Sequence, residues 1–223
     1  MTSPFLSIVT RCCRRPDFLT RNIASIKGQT DQDVEQVYIV DKDQRGRYWA
    51  NQEFANHVHR VDGEYVFILD DDCRLTSYEF VAKVREGSKS NPDVIMVQTS
   101  RPQLKPRKLP RDDVWGKYAE LHIHTTNCLC YVIKHDIWTH FIVEYGYPSA
   151  GDWHFLQAVI RNTSDFVWVE GVMSETMQLG RGHKFEKCEK EWWGGVVGEQ
   201  GIEDVGDGDW RLRLWNSEKG ESV

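Results

Sequence analysis

Over the first hundred residues, short apolar runs alternate with stretches of helical periodicity, and that alternation leaves the chain few folds to adopt. FLSIVT (5–10), VYIV (37–40), EYVFIL (64–69) and DVIMVQT (93–99) are of strand length and rich in β-branched and aromatic residues. Between the first two, RPDFLTRNIASIKG sets Phe18, Leu19, Ile23 and Ile26 near helical spacing, with Pro16 suited to a first turn and Gly28 to a stop. Residues 48–60 predict a second helix. TSYE (76–79) has capping-box form, Thr76 as N-cap and Glu79 three residues on, and predicts a third helix to about residue 89. The order argues for an α/β fold: one Rossmann-like domain whose mixed, mostly parallel sheet is flanked by helices and joined by right-handed crossovers. Beyond residue 110 the pattern predicts a helix in DDVWGKYAEL (112–121), a strand in CLCYVI (128–133) and a short helix in KHDIWTHF (134–141). A turn and helix through GYPSAGDWHFLQAVIRN (146–162) and a strand at FVWVEG (166–171) follow.

Open parallel sheets bind ligands beyond the carboxyl ends of their strands. Thr10 and Arg11, Asp41, and Asp70–Asp72 each stand just where a predicted strand ends, so three segments meet at one rim. GEYVFILDDDCRL (63–75) runs an apolar strand straight into three consecutive aspartates. A solvated loop start is one reading; a divalent cation, which turns the mutual repulsion into coordination, is the other. Alternate residues leaving a strand project the same way, which suits Asp70 and Asp72 to one Mg²⁺ or Mn²⁺ with positions left for phosphate and water. Arg11, Arg14 and Arg15 beside the first strand end could pair with phosphate or form a solvated turn.

The bulk properties exclude some function classes. A formal net charge of −6 argues against bulk attraction to nucleic acid or anionic lipid. The local exception is RPQLKPRKLPR (101–111), with five basic residues, most simply an exposed connector; it leaves nucleic acid open as a partner. The apolar runs are far too short to cross a bilayer, and MTSPFLSIVTRCC lacks the form of a secretion signal, so the expected location is cytoplasmic. The six cysteines include no CxxC pair, which argues against structural zinc and for reduced, mostly buried thiols.

Several of these segments resemble family 2 glycosyltransferases, which have the A-type glycosyltransferase fold. LSIVTRCCRRPDFLTRNIASIKGQT is similar to that family's first strand, Arg-Pro turn and helix, and VYIVDKD to its second strand. ANHVHRVDGEYVFILDDDCRL resembles the helix, Gly-Glu-Tyr step and strand ending in Asp-x-Asp. Weaker similarity continues in TNCLCYVIKHDIW, which contains Asn127, then AGDWHFLQAV, then His183. The chain departs from the family after the first strand, where TRCCRRP replaces a frequent aromatic, and after the second, where DKDQRG replaces Asp-Gly-Ser.

The resemblance implies transfer of a sugar from a nucleoside-diphosphate sugar, a UDP-sugar foremost, to an acceptor hydroxyl that the sequence does not identify. Residues 1–185 are then the catalytic domain, with 1–100 as the nucleotide-sugar half and 101–185 as the acceptor half; 186–223 form a Gly/Trp-rich extension. It further implies that Thr10, Arg11, Asp41, Asp70 and Asp71 contact the donor, and that Asp72, Asp70 and His183 hold Mn²⁺ or Mg²⁺. Asp152 is the implied general base for direct displacement with inversion, although a carboxylate at that place is also an ordinary helix N-cap. Asn127, Trp153, Trp192 and Trp193 are candidates for the acceptor side, EKEWWGGVVGEQG as a lid and Trp153 alternatively as core. Two other readings compete. A non-catalytic sugar-nucleotide binder needs neither Asp152 nor His183, whereas a nucleotidyltransferase usually has a Gly-rich loop where TRCCRRPDF has no glycine.

Overall fold

In a computed structural model, residues 3–13, 15–43 and 45–177 are described, together with 197, 200, 202–206, 209–213, 215–216 and 221–222. The four apolar runs of the first hundred residues are strands. β1 spans Leu6–Cys12, β2 Val34–Val40, β3 Tyr65–Ile68 and β5 Val94–Ser100, with the short β4, Cys73–Leu75, between the last two. Helices α1 (Pro16–Lys27), α2 (Arg47–Asn56) and α3 (Phe80–Gly87) connect them. Beyond lie β6 (Lys108–Leu109), β7 (Tyr131–Lys134), α4 (His135–Phe141), α5 (Gly151–Asn162), β8 (Phe166–Thr176), β9 (Glu203–Gly206) and β10 (Asp209–Arg213).

The strands form one mixed sheet in the order β4-β8-β5-β7-β3-β1-β2-β10-β9, with β6 on β5. β1 pairs in parallel with β2 and β3, and β5 with β8; β7 is inserted antiparallel between β3 and β5. β10, from the expected C-terminal extension, continues the sheet antiparallel to β2. Successive strand residues face opposite sides. Thus Leu6, Ile8, Phe67, Ile95 and Val97 pack with Phe80, Val81 and Val84 of α3, while Val9, Ile68, Val94 and Met96 pack with Phe54, Trp138 and Phe155 of α2, α4 and α5. Burying each such side chain contributes about 1.5–3 kcal/mol, which is what holds the helices on both faces. Among the described residues, no helix is long and apolar enough to cross a membrane.

Three local expectations are corrected. The capping box at 76–79 does not form: the Thr76 hydroxyl and N–H bond the carbonyls of Val172 and Met173, continuing the edge beside β8, and α3 starts only at Phe80. Residues 112–121 are not one helix but two short 3-10 turns, broken at Gly116, whose φ of +79° is left-handed. The strand expected from 128 begins at Tyr131, because Asn127 caps a 3-10 turn at Cys128–Cys130.

Candidate functional site

The three strand ends are tied into one rim by their own backbone. Asp41 N–H bonds the Cys12 carbonyl, Leu69 N–H that of Val9, and Asp71 N–H that of Arg11. A buried polar network lies beneath. The Asn22 amide, from α1, donates to the carbonyls of Asp70 (3.1 Å) and Cys73 (3.0 Å), fixing the acidic turn from below. Gln36 donates to Asn22 and to the Thr10 hydroxyl, both at 2.7 Å, and accepts from Tyr38. Thr10 is therefore fully buried, its side chain used inside the sheet instead of facing a donor. Asn22 and Gln36 carry no signal in the sequence beyond being polar residues on otherwise apolar elements.

The aspartates alternate. Asp70 and Asp72 keep 19% of their side-chain surface and Asp71 none. Arg11 makes a two-point contact with Asp70, Nε to Oδ1 at 2.6 Å and Nη2 to Oδ2 at 2.5 Å. The same guanidinium donates to the Asn51 side chain and lies 5.0 Å from the Phe54 ring centre and 5.7 Å from that of Tyr145. Arg15 bonds Asp72 at 2.6 Å and also pairs with Asp71, which accepts the Cys13 N–H at 3.0 Å as well. Burial pushes the Asp71 carboxyl up to about 7; Arg15 opposes the rise and Asp72 adds to it. With no exposed surface, Asp71 cannot reach a donor by its side chain. Among the described residues, no group of three or more His, Cys, Asp or Glu could by itself hold a metal ion.

Two contiguous clefts open at this rim. The first, about 310 Å³, is lined by Arg11, Cys13, Arg15, Asp41, Arg47 and the flanking Asp70 and Asp72. The second, about 230 Å³, is lined by Arg11, Arg47, Asn51, Asp70, Cys128, Tyr145 and Asp152 among others. Arg11, Arg47 and Asp70 belong to both. Asp41 closes the turn before α2, its two oxygens accepting the N–H groups of Arg45 (2.9 Å) and Gly46 (2.8 Å).

Asp152 is not the N-cap of α5. That position is Ala150, in a left-handed conformation (φ +54°), and makes no side-chain cap. Asp152 stands in the first turn and lines the second cleft. Burial raises its pKa; the Trp153 N–H and Arg11 pull it down, and Asp70 pushes it up. Gly151 makes this approach possible, since a Cβ there would lie 2.1 Å from the Tyr145 carbonyl oxygen. Two candidates for the acceptor side have structural employment. Asn127 accepts the Leu129 N–H as a cap, and Trp153 packs on the core. Trp192, Trp193 and His183, with the proposed metal and lid roles, lie outside the described residues, as does Arg14. Among the described residues no cysteine is in a disulfide, and Cys12, Cys73 and Cys130 are buried.

The sequence matches no protein-family model and no curated protein. The fold matches solved structures. S. aureus TarS 1-349 in complex with UDP-GlcNAc superposes with a TM-score of 0.61 at 13% identity, over 83% of this chain and 61% of that one. The same protein in complex with UDP gives 0.58 at 14% identity, over 77% and 60%. The mannosyltransferase PcManGT from Pyrobaculum calidifontis, in complex with GDP-Man and Mn²⁺, gives 0.53 at 13% identity, over 81% and 59%. The chain thus spans about 60% of the length of these structures. Its mixed, mostly parallel sheet flanked by helices is the A-type glycosyltransferase fold.

Proposed function

We propose that this chain is a family 2-like glycosyltransferase that moves a sugar, with inversion, from a nucleoside-diphosphate sugar to an acceptor hydroxyl. One observation carries the reading. A half-buried carboxylate, Asp152, with a raised pKa occupies a cleft continuous with a second cleft at the carboxyl ends of β1, β2 and β3. The donor occupies the first cleft, its nucleoside end toward Asp41 and its sugar toward the shared boundary. The acceptor enters the second. Asp152 takes the hydroxyl proton as the acceptor oxygen forms its bond to the anomeric carbon, and the bond to the diphosphate breaks with its electron pair going to phosphate. A base on the face opposite the leaving group gives direct displacement, hence inversion. UDP-GlcNAc and GDP-Man in the similar structures support a nucleotide-sugar donor without choosing its base.

A divalent cation fits here only as a shared ligand. Mg²⁺ and Mn²⁺ accept one or two carboxylates and complete their shell with substrate phosphate and water. Asp72, at the rim of the first cleft, is the residue that would hold it, with Asp70 beside it committed to Arg11. When bound, such a cation supplies Lewis-acid neutralisation of the departing diphosphate. The pairing of all three aspartates with Arg11 and Arg15 favours one alternative, a sugar-nucleotide-binding protein of the same fold that neither binds metal nor turns over.

Thermal-shift titration of the protein with UDP- and GDP-sugars, with and without Mn²⁺, tests the reading, because a bound ligand raises apparent stability by mass action. The expected result is a shift with at least one donor that Mn²⁺ enlarges and Asp72→Ala abolishes, together with slow donor hydrolysis. Binding without hydrolysis or metal response would select the non-catalytic alternative. No shift with any nucleotide sugar would remove both.

A further inference from the structure

We infer that Arg47 is the residue that binds the diphosphate of the donor, and that the two arginines closer to the acidic turn do not. The inference rests on the nucleotide-sugar reading above and deepens it. The charged lining of the first cleft is Arg11, Arg15, Asp41, Arg47, Asp70 and Asp72. Arg11 is held by Asp70 and Asn51, and Arg15 by Asp71 and Asp72. Asp41 is held by the backbone of Arg45 and Gly46 and stands 3.9 Å from the Arg45 side chain. Arg47 alone of these is left: it is exposed, and among the described residues it pairs with no carboxylate.

Its place is as informative as its freedom. Arg47 lines both clefts, and in a nucleoside-diphosphate sugar the diphosphate is the part between nucleoside and sugar. Of the three residues common to both clefts, Asp70 repels phosphate and the charge of Arg11 is offset by Asp70, so Arg47 is the cation available at the junction. The fold gains nothing from it there. Arg47 opens α2, where a positive charge opposes the helix dipole, and no side chain caps that end. The residue before it, Gly46, has φ +89° and open space where a Cβ would be, so the approach to Arg47 is not blocked. An anion in the cleft is attracted by both the helix N-terminus and the guanidinium, and it offers the latter the two-point contact it makes best. As the anomeric C–O bond breaks, the electron pair and its charge arrive on the diphosphate oxygen, which the Arg47 guanidinium stabilises.

Calorimetric titration of wild type, Arg47→Gln and Arg47→Lys with UDP, GDP, uridine and guanosine tests the assignment, with Mn²⁺ present and absent. The expected result is that Arg47→Gln weakens the bound diphosphate about tenfold or more, the scale of a charge-assisted hydrogen bond, and leaves the matching nucleoside unchanged. Arg47→Lys should recover part of the loss, and the melting temperature of both variants should stay at or above that of wild type. Equal diphosphate affinity in Arg47→Gln and wild type would overturn the Arg47 assignment alone. Absence of diphosphate binding in wild type would overturn the nucleotide-sugar reading and this inference with it. Equal losses for diphosphate and nucleoside would also overturn it, since they report a distorted cleft instead of a lost phosphate contact.

Discussion

Replacing Arg11 by methionine should harm the fold first and the ligand only in consequence. Arg11 and Asp70 keep 16% and 19% of their side-chain surface, so the pair is mostly withdrawn from water. Removing one partner of such a pair leaves the other charge desolvated without compensation, a loss of about 3–5 kcal/mol for full burial. The remaining exposure lets solvent screen part of it, which places the expected loss near the lower limit, about 3 kcal/mol. Methionine keeps some of the packing on Phe54 and Tyr145, so the lost ring contact adds little. For a domain of this size, each kcal/mol moves the melting temperature about 2–4 °C, so a fall of about 6–12 °C is expected.

Scanning calorimetry of wild type, Arg11→Met, Asp70→Asn and the double variant measures this directly. If the pair acts as a unit, Arg11→Met should lose most, and adding Asp70→Asn should recover much of that loss because the stranded charge is gone. The same holds for Arg11→Lys, which keeps the charge but cannot make the two-point contact and should fall between. An Arg11→Met protein that melts within 1 °C of wild type, by this ~3 kcal/mol reasoning, yet loses nucleotide affinity would refute the argument and return Arg11 to the donor-binding residues.

Three further outcomes follow from the geometry. Asp152→Asn should leave UDP or GDP affinity intact and lower turnover about 10²-fold or more, with product NMR reporting the inverted anomer; normal turnover would dismiss it as the base. Gly151→Ala should both destabilise the protein and reduce turnover, because a Cβ set 2.1 Å from the Tyr145 carbonyl oxygen must push α5 away from the second cleft; an unchanged melting temperature would contradict that packing. Glu35 is almost wholly buried, and burial raises its pKa while bonds from Ser7 and the Asp62 N–H oppose the rise. The folded chain then holds this proton longer than the unfolded one, so stability falls as pH rises from the ordinary carboxylate range through the raised folded value. The melting temperature of Glu35→Gln, relative to wild type, should therefore climb across that window, and parallel curves would exclude the effect.

What the sequence discloses and what it conceals divide along a physical line. Short apolar runs ending in polar residues locate β1, β2, β3 and β5 and so the rim, because strand burial is written in adjacent residues. Asp152 is visible as a carboxylate between Gly151 and an amphipathic helix. The capping box fails because Thr76 is taken by β8, about a hundred residues away, and local propensity does not know of that neighbour. The partners of the acidic triplet are hidden for the same reason: Arg11 and Arg15 lie more than fifty positions from the aspartates they hold. Arg47 and Asn51 carry no motif at all and become visible only when α2 is placed over the two clefts.

The acidic triplet shows how the two kinds of information combine. Three adjacent aspartates at a strand end suggest one shared ligand, yet the backbone alternation assigns them different tasks. Asp71 faces inward, fully buried, and binds the Cys13 N–H and Arg15, so it ties the β1–α1 turn to the end of β3. Asp70 faces out but is occupied on both oxygens by Arg11, which carries its charge back to Asn51 and the aromatic wall beneath Asp152. Asp72 faces out with Arg15 on one oxygen, at the rim of the first cleft. Repulsion among the three is therefore met by two arginines before any ligand arrives, and it is eased further because burial lets Asp71 hold its proton more readily than a free aspartate does. Asp72 lines the first cleft together with Arg47, which pairs with no carboxylate among the described residues. On the proposed reading, a cleft with a carboxylate at its rim and a positive group that pairs with no carboxylate among the described residues would receive a nucleoside diphosphate with its divalent metal attached, Asp72 holding the metal and Arg47 the phosphate.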